Sequence, residues 1–134
     1  MAAAEADLTT RAGLWTAAKR AISRAAARLI RPGALVLLDG GTTALEVARA
    51  LPARLSATVA TQSPPVAIEL AGHDAVSVVL IGGRLFRHAM VAVGALAIEQ
   101  IARLRADLCL LGVTGVHPVH VAALEAAAVA VLRC

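Results

Sequence analysis

Residues Leu35-Val36-Leu37-Leu38-Asp39-Gly40-Gly41-Thr42-Thr43-Ala44-Leu45 run apolar, break into two glycines and two hydroxyls, and then resume at helical spacing. Four apolar residues are too few for a buried helix, and Pro32-Gly33 punctuates the run upstream. Leu45, Ala48 and Leu51 then lay an apolar stripe along a helix. The stretch predicts strand, loop, helix, with the loop at a helix N-terminus. There the unpaired backbone N–H groups and the positive end of the helix dipole face outward. Gly40 and Gly41 let a ligand approach the backbone, and the Thr42 and Thr43 hydroxyls add donors. A small anion, phosphate foremost, suits such a loop. It lacks the Lys and the spacing of a P-loop and the three glycines of the dinucleotide fingerprint. A tight turn with a Thr N-cap and no ligand is the other reading of the same residues.

A chain of 134 residues can bury such a unit in one domain without disulfides. Much of the hydrophobic fraction of 59% is alanine, and no segment reaches the roughly 18 unbroken apolar residues of a spanning helix, so no membrane partner is expected. Glu5 and Asp7 stand where a signal peptide carries positive charge, which points to the cytoplasm. Cys109 lies in an apolar run and Cys134 is the last residue, so both are expected as thiols. Twelve Arg and one Lys against nine acids leave a net charge of +4, suited to an anionic partner.

Residues 1–13 have little periodicity and read as a tail or linker ahead of one domain, 14–134. From Thr16 to Ile30 the pattern is helical, with Ile22, Ala25, Ala26 and Leu29 on one face and Arg20, Arg24, Arg28 and Arg31 as a solvated stripe opposite. Ala57 to Ala60 is a second strand, followed by Ser63 as a cap and a proline-started helix to Ala71. Val76 to Ile81 is nearly all apolar, as for a parallel strand covered on both faces. A less regular segment, Leu85 to Val93, leads through Gly94 to a helix from Ala95 to Leu104 with Leu96, Ile101 and Leu104 toward the core. Asp107 to Val113 is the fourth strand, and a last helix spans Ala122 to Arg133. Strands alternating with helices imply right-handed crossovers, a mainly parallel sheet, and polar loops gathered at the strands' carboxyl ends. That edge collects Asp39 to Thr43, Thr61 to Ser63, Gly82 to Arg84, and Gly112 to Gly115.

Ala18-Lys19-Arg20-Ala21-Ile22, Leu38-Asp39-Gly40-Gly41-Thr42-Thr43, Ala60-Thr61-Gln62-Ser63, Leu80-Ile81-Gly82-Gly83-Arg84, Val93-Gly94 and Leu111-Gly112-Val113-Thr114-Gly115 occur in that order. Together, over about Arg11 to Arg133, they resemble the C-terminal effector-sensing domain of DeoR-type bacterial transcriptional regulators. The resemblance implies a Rossmann-like α/β fold with helices on both faces, shared with ribose-5-phosphate isomerase, glucosamine-6-phosphate deaminase and coenzyme A transferases. It implies a sugar phosphate effector, its phosphate held by Gly40, Gly41, Thr42 and Thr43. Asp39, Thr61, Gln62, Ser63, Gly82, Gly83, Arg84, Gly112 and Thr114 would enclose the rest, in a homo-oligomer. DNA binding would come from a helix-turn-helix that this chain does not contain. The family commonly has Asn at Gln62, Asp at Thr114, and an acid and a Lys at Ala126 and Ala130. Losing that Lys removes a contact of about 1.5–3 kcal/mol. The chain also stops at Cys134, earlier than the family does.

Two other functions remain open. One is an interaction module with a vestigial pocket, and the other a sugar-phosphate isomerase. Isomerisation needs a carboxylate base and a cation for the enediolate. Asp39 is the only acid on the ligand edge and Lys19 the only Lys. Asp39 reads more simply as a side chain organising its own loop, so no catalytic residue is assigned. His73, His88, His117 and His120 lack the companions of a metal site, and no cofactor is expected.

Overall fold

Parallel strands can be joined only by crossovers long enough to hold a helix, and the spacing of the apolar runs supplies such crossovers. The computed structural model describes residues 7–13, 15–112, 115–116 and 121–122. In chain order the elements are α1 (Leu8–Ala12), α2 (Thr16–Ala27), β1 (Leu35–Leu38), α3 (Thr42–Ala50), β2 (Ala57–Thr61), α4 (Pro64–Ala71), β3 (Val76–Leu80), β4 (Arg84–Phe86), β5 (Val91–Val93), α5 (Ala95–Ala102), β6 (Leu108–Leu110), β7 (Gly115–Val116) and β8 (Val121–Ala122). The main sheet is parallel throughout, in the order β3-β2-β1-β6.

Register and side-chain period together divide the core in two. Val78, Val59, Val36 and Leu108 form one row across the sheet and point into a core shared with Ala27, Ala44, Val47, Ala48 and Leu70. The next row includes Ala60, Leu37 and Cys109, which face Ile81, Ala92, Ala97 and Ile101 on the other side. The chain steps from β1 through β2 to β3 with α3 and α4 on the first face, where α2 packs on α3. It then returns through the antiparallel hairpin β4–β5 and through α5 to reach β6 beyond β1, which places α5 on the second face. Helices thus cover both faces, as expected for this fold.

Four expectations about helix phase, strand cover and element type change. Ser23 and Ala27 are the buried residues of α2, while Ile22 is 58% and Leu29 63% exposed and Ala25 is exposed. Small residues let α2 lie close on α3, and the larger side chains fall on the flank. On α5 the same rule buries Ala97 and Ile101 and leaves Leu96 exposed. β3 is an edge strand: Val79 is 43% exposed on the second face, and Leu80, at the strand's end on the first face, is 53% exposed. Ala122 belongs to β8, paired with Gly115, rather than to the start of a helix; residues 123–133 and Val113 lie outside the described residues.

Other details follow the sequence or add to it. Gly33, at φ 81°, turns the chain into β1, and Arg20, Arg24, Arg28 and Arg31 are all exposed. The irregular segment before α5 is a hairpin, with Met90 at φ 55° near its turn. Inside the tail segment, α1 is capped by Asp7, whose carboxylate accepts the Thr10 N–H at 2.7 Å, and the Leu8 N–H donates to the His88 carbonyl. Cys109 is disulfide-bonded, correcting the expectation of a thiol. Among the described residues no helix is long and apolar enough to cross a membrane.

Candidate functional site

The order β3-β2-β1-β6 reverses its direction of travel between β1 and β6. At such a point the crossovers leave toward opposite faces and the loops part, opening a crevice at the strands' carboxyl ends. Asp39 holds this crevice together. Its N–H donates to the Leu110 carbonyl at 3.0 Å, extending the β1–β6 ladder by one bond. Asp39 is 4% exposed, and its carboxylate accepts the Gly40 N–H at 2.8 Å through one oxygen and the Gly112 N–H at 2.9 Å through the other. One side chain therefore ties the loop after β1 to the loop after β6, the organising role expected for it. Gly112 faces it closely: a Cβ there would stand 3.3 Å from the carboxylate.

α3 begins inside this crevice. Its N-cap is Gly41, at φ 102° and ψ 175°, and no side chain caps the helix. The Thr cap of the ligand-free reading does not form: Thr42 is already the first helical residue, 4% exposed. Positive φ at the cap is a conformation that only glycine adopts without strain. Gly40, Gly41, Thr42, Thr43 and Gly112 line a cavity of about 160 Å³ whose apolar walls include Ile22, Ala26, Val47, Leu110 and Leu111. That is several times what one water needs, room for a phosphate with a few attached atoms. A larger hollow of about 400 Å³, lined by Leu29, Arg31 to Ala34, Asp107 and Leu108, lies at the strands' amino ends. There Asp107 is engaged in accepting the Leu35 N–H at 2.8 Å. Open α/β sheets bind ligands at the carboxyl ends, so the smaller cavity is the candidate site.

The remaining predicted residues divide by position. A Cβ on Gly40 would overlap the Val91 Cγ1 methyl and come within 3.3 Å of Ser63. Packing against β5 and the loop after β2 thus requires this glycine, whatever binds beside it. Thr61, Gln62 and Ser63 form a buried shelf behind it. Thr61 Oγ1 accepts the Ser63 N–H at 3.1 Å, and Ser63 Oγ caps α4 by accepting the Val66 N–H at 3.3 Å. The Gln62 carbonyl accepts the Ala92 N–H, but its side-chain Nε2, in a residue 1% exposed, is buried without a partner among the described residues. An orphaned buried donor costs about 1–3 kcal/mol, so Gln62 is primed for an acceptor.

Gly82, Gly83 and Arg84 stand apart from the cavity. Gly82 is clamped by Gln100, whose Oε1 accepts the Gly82 N–H at 3.1 Å while its Nε2 donates to the Gly82 carbonyl at 2.7 Å and to the Leu96 carbonyl at 3.0 Å. Gly83 lies under the Val93 carbonyl, which a Cβ would approach to 2.8 Å. Arg84 is exposed on β4, opposite Val93. Thr114 lies outside the described residues. The sequence reading missed Gln100 and the walls from α2, Ile22 and Ala26; the six-residue step back from Gln100 to Gly94 carries no recognisable motif.

Nothing among the described residues groups three His, Cys, Asp or Glu around a possible metal. His73 Nε2 is 2.7 Å from the Pro52 carbonyl and so donates to it. His88 is exposed and tilted against Phe86 at 5.9 Å. His117 and His120 lie outside the described residues.

A family model described as the DeoR C terminal sensor domain matches residues 15–131. The chain is 40% identical over 94 residues to the HTH-type transcriptional regulator GlpR of Haloferax volcanii, covering 70% of this chain and 36% of the relative. It is 35% identical over 98 residues to the HTH-type transcriptional repressor GlcR of Bacillus subtilis, covering 73% and 38%. To the HTH-type transcriptional regulator GolR of Listeria innocua it is 34% identical over 97 residues, covering 72% and 38%. The chain spans less than two fifths of the length of each of these relatives.

Proposed function

Because the chain belongs to the DeoR C-terminal sensor domain family, we propose that its cavity binds a phosphorylated sugar and that occupancy controls DNA binding by a helix-turn-helix outside these residues. The observation carrying this reading is the helix start without a side-chain cap, Gly41 to Thr43, lining a cavity where the strand order reverses. Backbone N–H groups and the Thr43 hydroxyl take the phosphate, assisted by the helix dipole. The sugar extends toward Gly112, with the buried Gln62 amide as a further donor. Thr61 and Ser63 support the loop from behind, and Gly82, Gly83 and Arg84 shape the neighbouring hairpin.

The protein acts as a sensor rather than an enzyme in this reading. Its relatives are named as transcriptional regulators, and both carboxylate oxygens of Asp39 are engaged by backbone N–H groups. It works in the cytoplasm as a homo-oligomer. Thermal unfolding against aldose and ketose phosphates, the matching free sugars and inorganic phosphate tests it. A ligand at a hundred times its Kd stabilises the fold by about 2.7 kcal/mol, a shift of several degrees. Thr43→Glu, which sets a negative charge at the phosphate position, should abolish the shift without lowering the midpoint of the free protein. A second reading, an interaction module with an empty pocket, is favoured by the exposed Trp15, Ile22 and Leu29. It gains if no phosphate shifts the midpoint.

A further inference from the structure

Helix α2 belongs both to the cavity and to the outer surface. Ile22 and Ala26 are cavity wall, yet Ile22 is 58% exposed, with Trp15 at 68% and Leu29 at 63%. Ile22 lies within α2, Trp15 is its N-cap at φ 48°, and Leu29 follows its C-cap Arg28. On its inner side α2 rests on α3 through Ser23 and Ala27. Ser23 is fully buried and donates its hydroxyl to the Thr43 carbonyl at 3.2 Å. That carbonyl belongs to the second residue of α3, within the loop that faces the cavity. A directional bond to the loop thus combines with alanine-sized contacts, the kind of packing along which helices slide in shear. The family match starts at residue 15, one residue before α2. The chain ahead of the match leads into α2 at Trp15.

We infer that α2 is the output element of the site: filling the cavity re-seats α2 on α3, with Ser23 as the positioning residue that passes a change at Thr43 to the exposed Trp15, Ile22 and Leu29 in and around this helix. The inference rests on the sugar-phosphate reading of the cavity. A ligand moves such an equilibrium only by contacting one seat better than the other. Here the difference comes from Ile22 and Ala26, which close on the bound molecule, and from the Thr43 peptide, whose tilt toward the phosphate resets the bond from Ser23.

Trp15 is the only Trp in the chain and there is no Tyr, so protein emission reports the start of α2. Ribose 5-phosphate, fructose 6-phosphate and inorganic phosphate would each be titrated by calorimetry and by Trp15 fluorescence. In the wild type, a probe that binds should change the emission with the calorimetric midpoint. In Ser23→Ala binding should persist, weakened by about tenfold at most, while at least half of the emission change disappears. Ser23→Cys, which keeps the volume and a weak donor, should fall between. Should the variants fail to fold, amide hydrogen exchange in the wild type decides, since the bound probe must alter protection within α2. Binding without an emission change in the wild type, a full emission change in Ser23→Ala, or unaltered α2 protection overturns the inference and leaves the binding reading intact. No heat with any of the probes overturns the reading and the inference with it.

Discussion

Asp39→Asn separates a loop staple from a catalytic base. The carboxylate accepts the Gly40 N–H at 2.8 Å and the Gly112 N–H at 2.9 Å, one through each oxygen. An amide has one oxygen to offer, and its NH2 then confronts the second N–H donor to donor. A hydrogen bond to a charged acceptor contributes about 1.5–3 kcal/mol, and an orphaned buried donor costs about 1–3 kcal/mol more. Gly112 is exposed, so its N–H can turn to water and the second cost stays small. The expected loss is about 2–3 kcal/mol, or about 7–10 °C in the thermal midpoint at this chain length. Far-UV circular dichroism at neutral pH would measure it. A midpoint within about 2 °C of the wild type, far below that expected shift, would refute the staple. A base, by contrast, would show unchanged stability and lost turnover of ribose 5-phosphate; no turnover is expected from the wild type.

Three glycines make contrasting controls in chemical denaturation. Gly40→Ala must displace the Val91 methyl and should cost about 1–3 kcal/mol. Gly83→Ala meets the Val93 backbone carbonyl at 2.8 Å, which yields less readily, and should cost at least as much, whereas Gly82→Ala meets nothing within 4 Å and should stay within about 0.5 kcal/mol. Equal effects at Gly82 and Gly83 would contradict the packing. Ser63→Ala removes the cap of α4 and should cost about 0.5–2 kcal/mol. Asp7 has its pKa lowered from 3.8, first by the Thr10 N–H and then by the Thr10 hydroxyl. A lowered folded-state value means that its hold on α1 is present above the ordinary carboxylate range and is lost as pH falls through the folded value. Amide exchange at Thr10, corrected for intrinsic rates, should therefore lose protection on acidification, and protection that is constant below pH 3.8 would contradict the cap.

Much of the layout was legible in the sequence because turn chemistry and period agreed. Pro32-Gly33 and the glycines after Leu38 bounded β1, Ser63-Pro64 opened α4, and an acid beside two glycines had backbone donors within reach. The helix phases were harder to read. In α2, alanine is compatible with core and surface alike, so the large side chains Ile22 and Leu29 drew the assignment while close packing on α3 selected Ser23 and Ala27. Leu96 and Ala97 repeat this on α5. The edge position of β3 follows from pairing partners, which a run of Val and Leu does not encode. The Gln100 clamp and the separation of Arg84 from the cavity depend on how the β4–β5 hairpin folds back, a tertiary event without a local signature.

The Asp39 staple joins positions 73 residues apart in the chain. Loop closure over that span must precede any benefit from the bond, so contacts of this separation belong to the slow part of folding. Before β6 docks, the chain can form β1, α3 and β2, but the cavity then lacks one wall. A molecule held there reads a finished fold, and its binding energy opposes one motion above others, the departure of β6 from the edge of β1. In this geometry the proposed site is also a checkpoint: it is complete only after β6 has arrived.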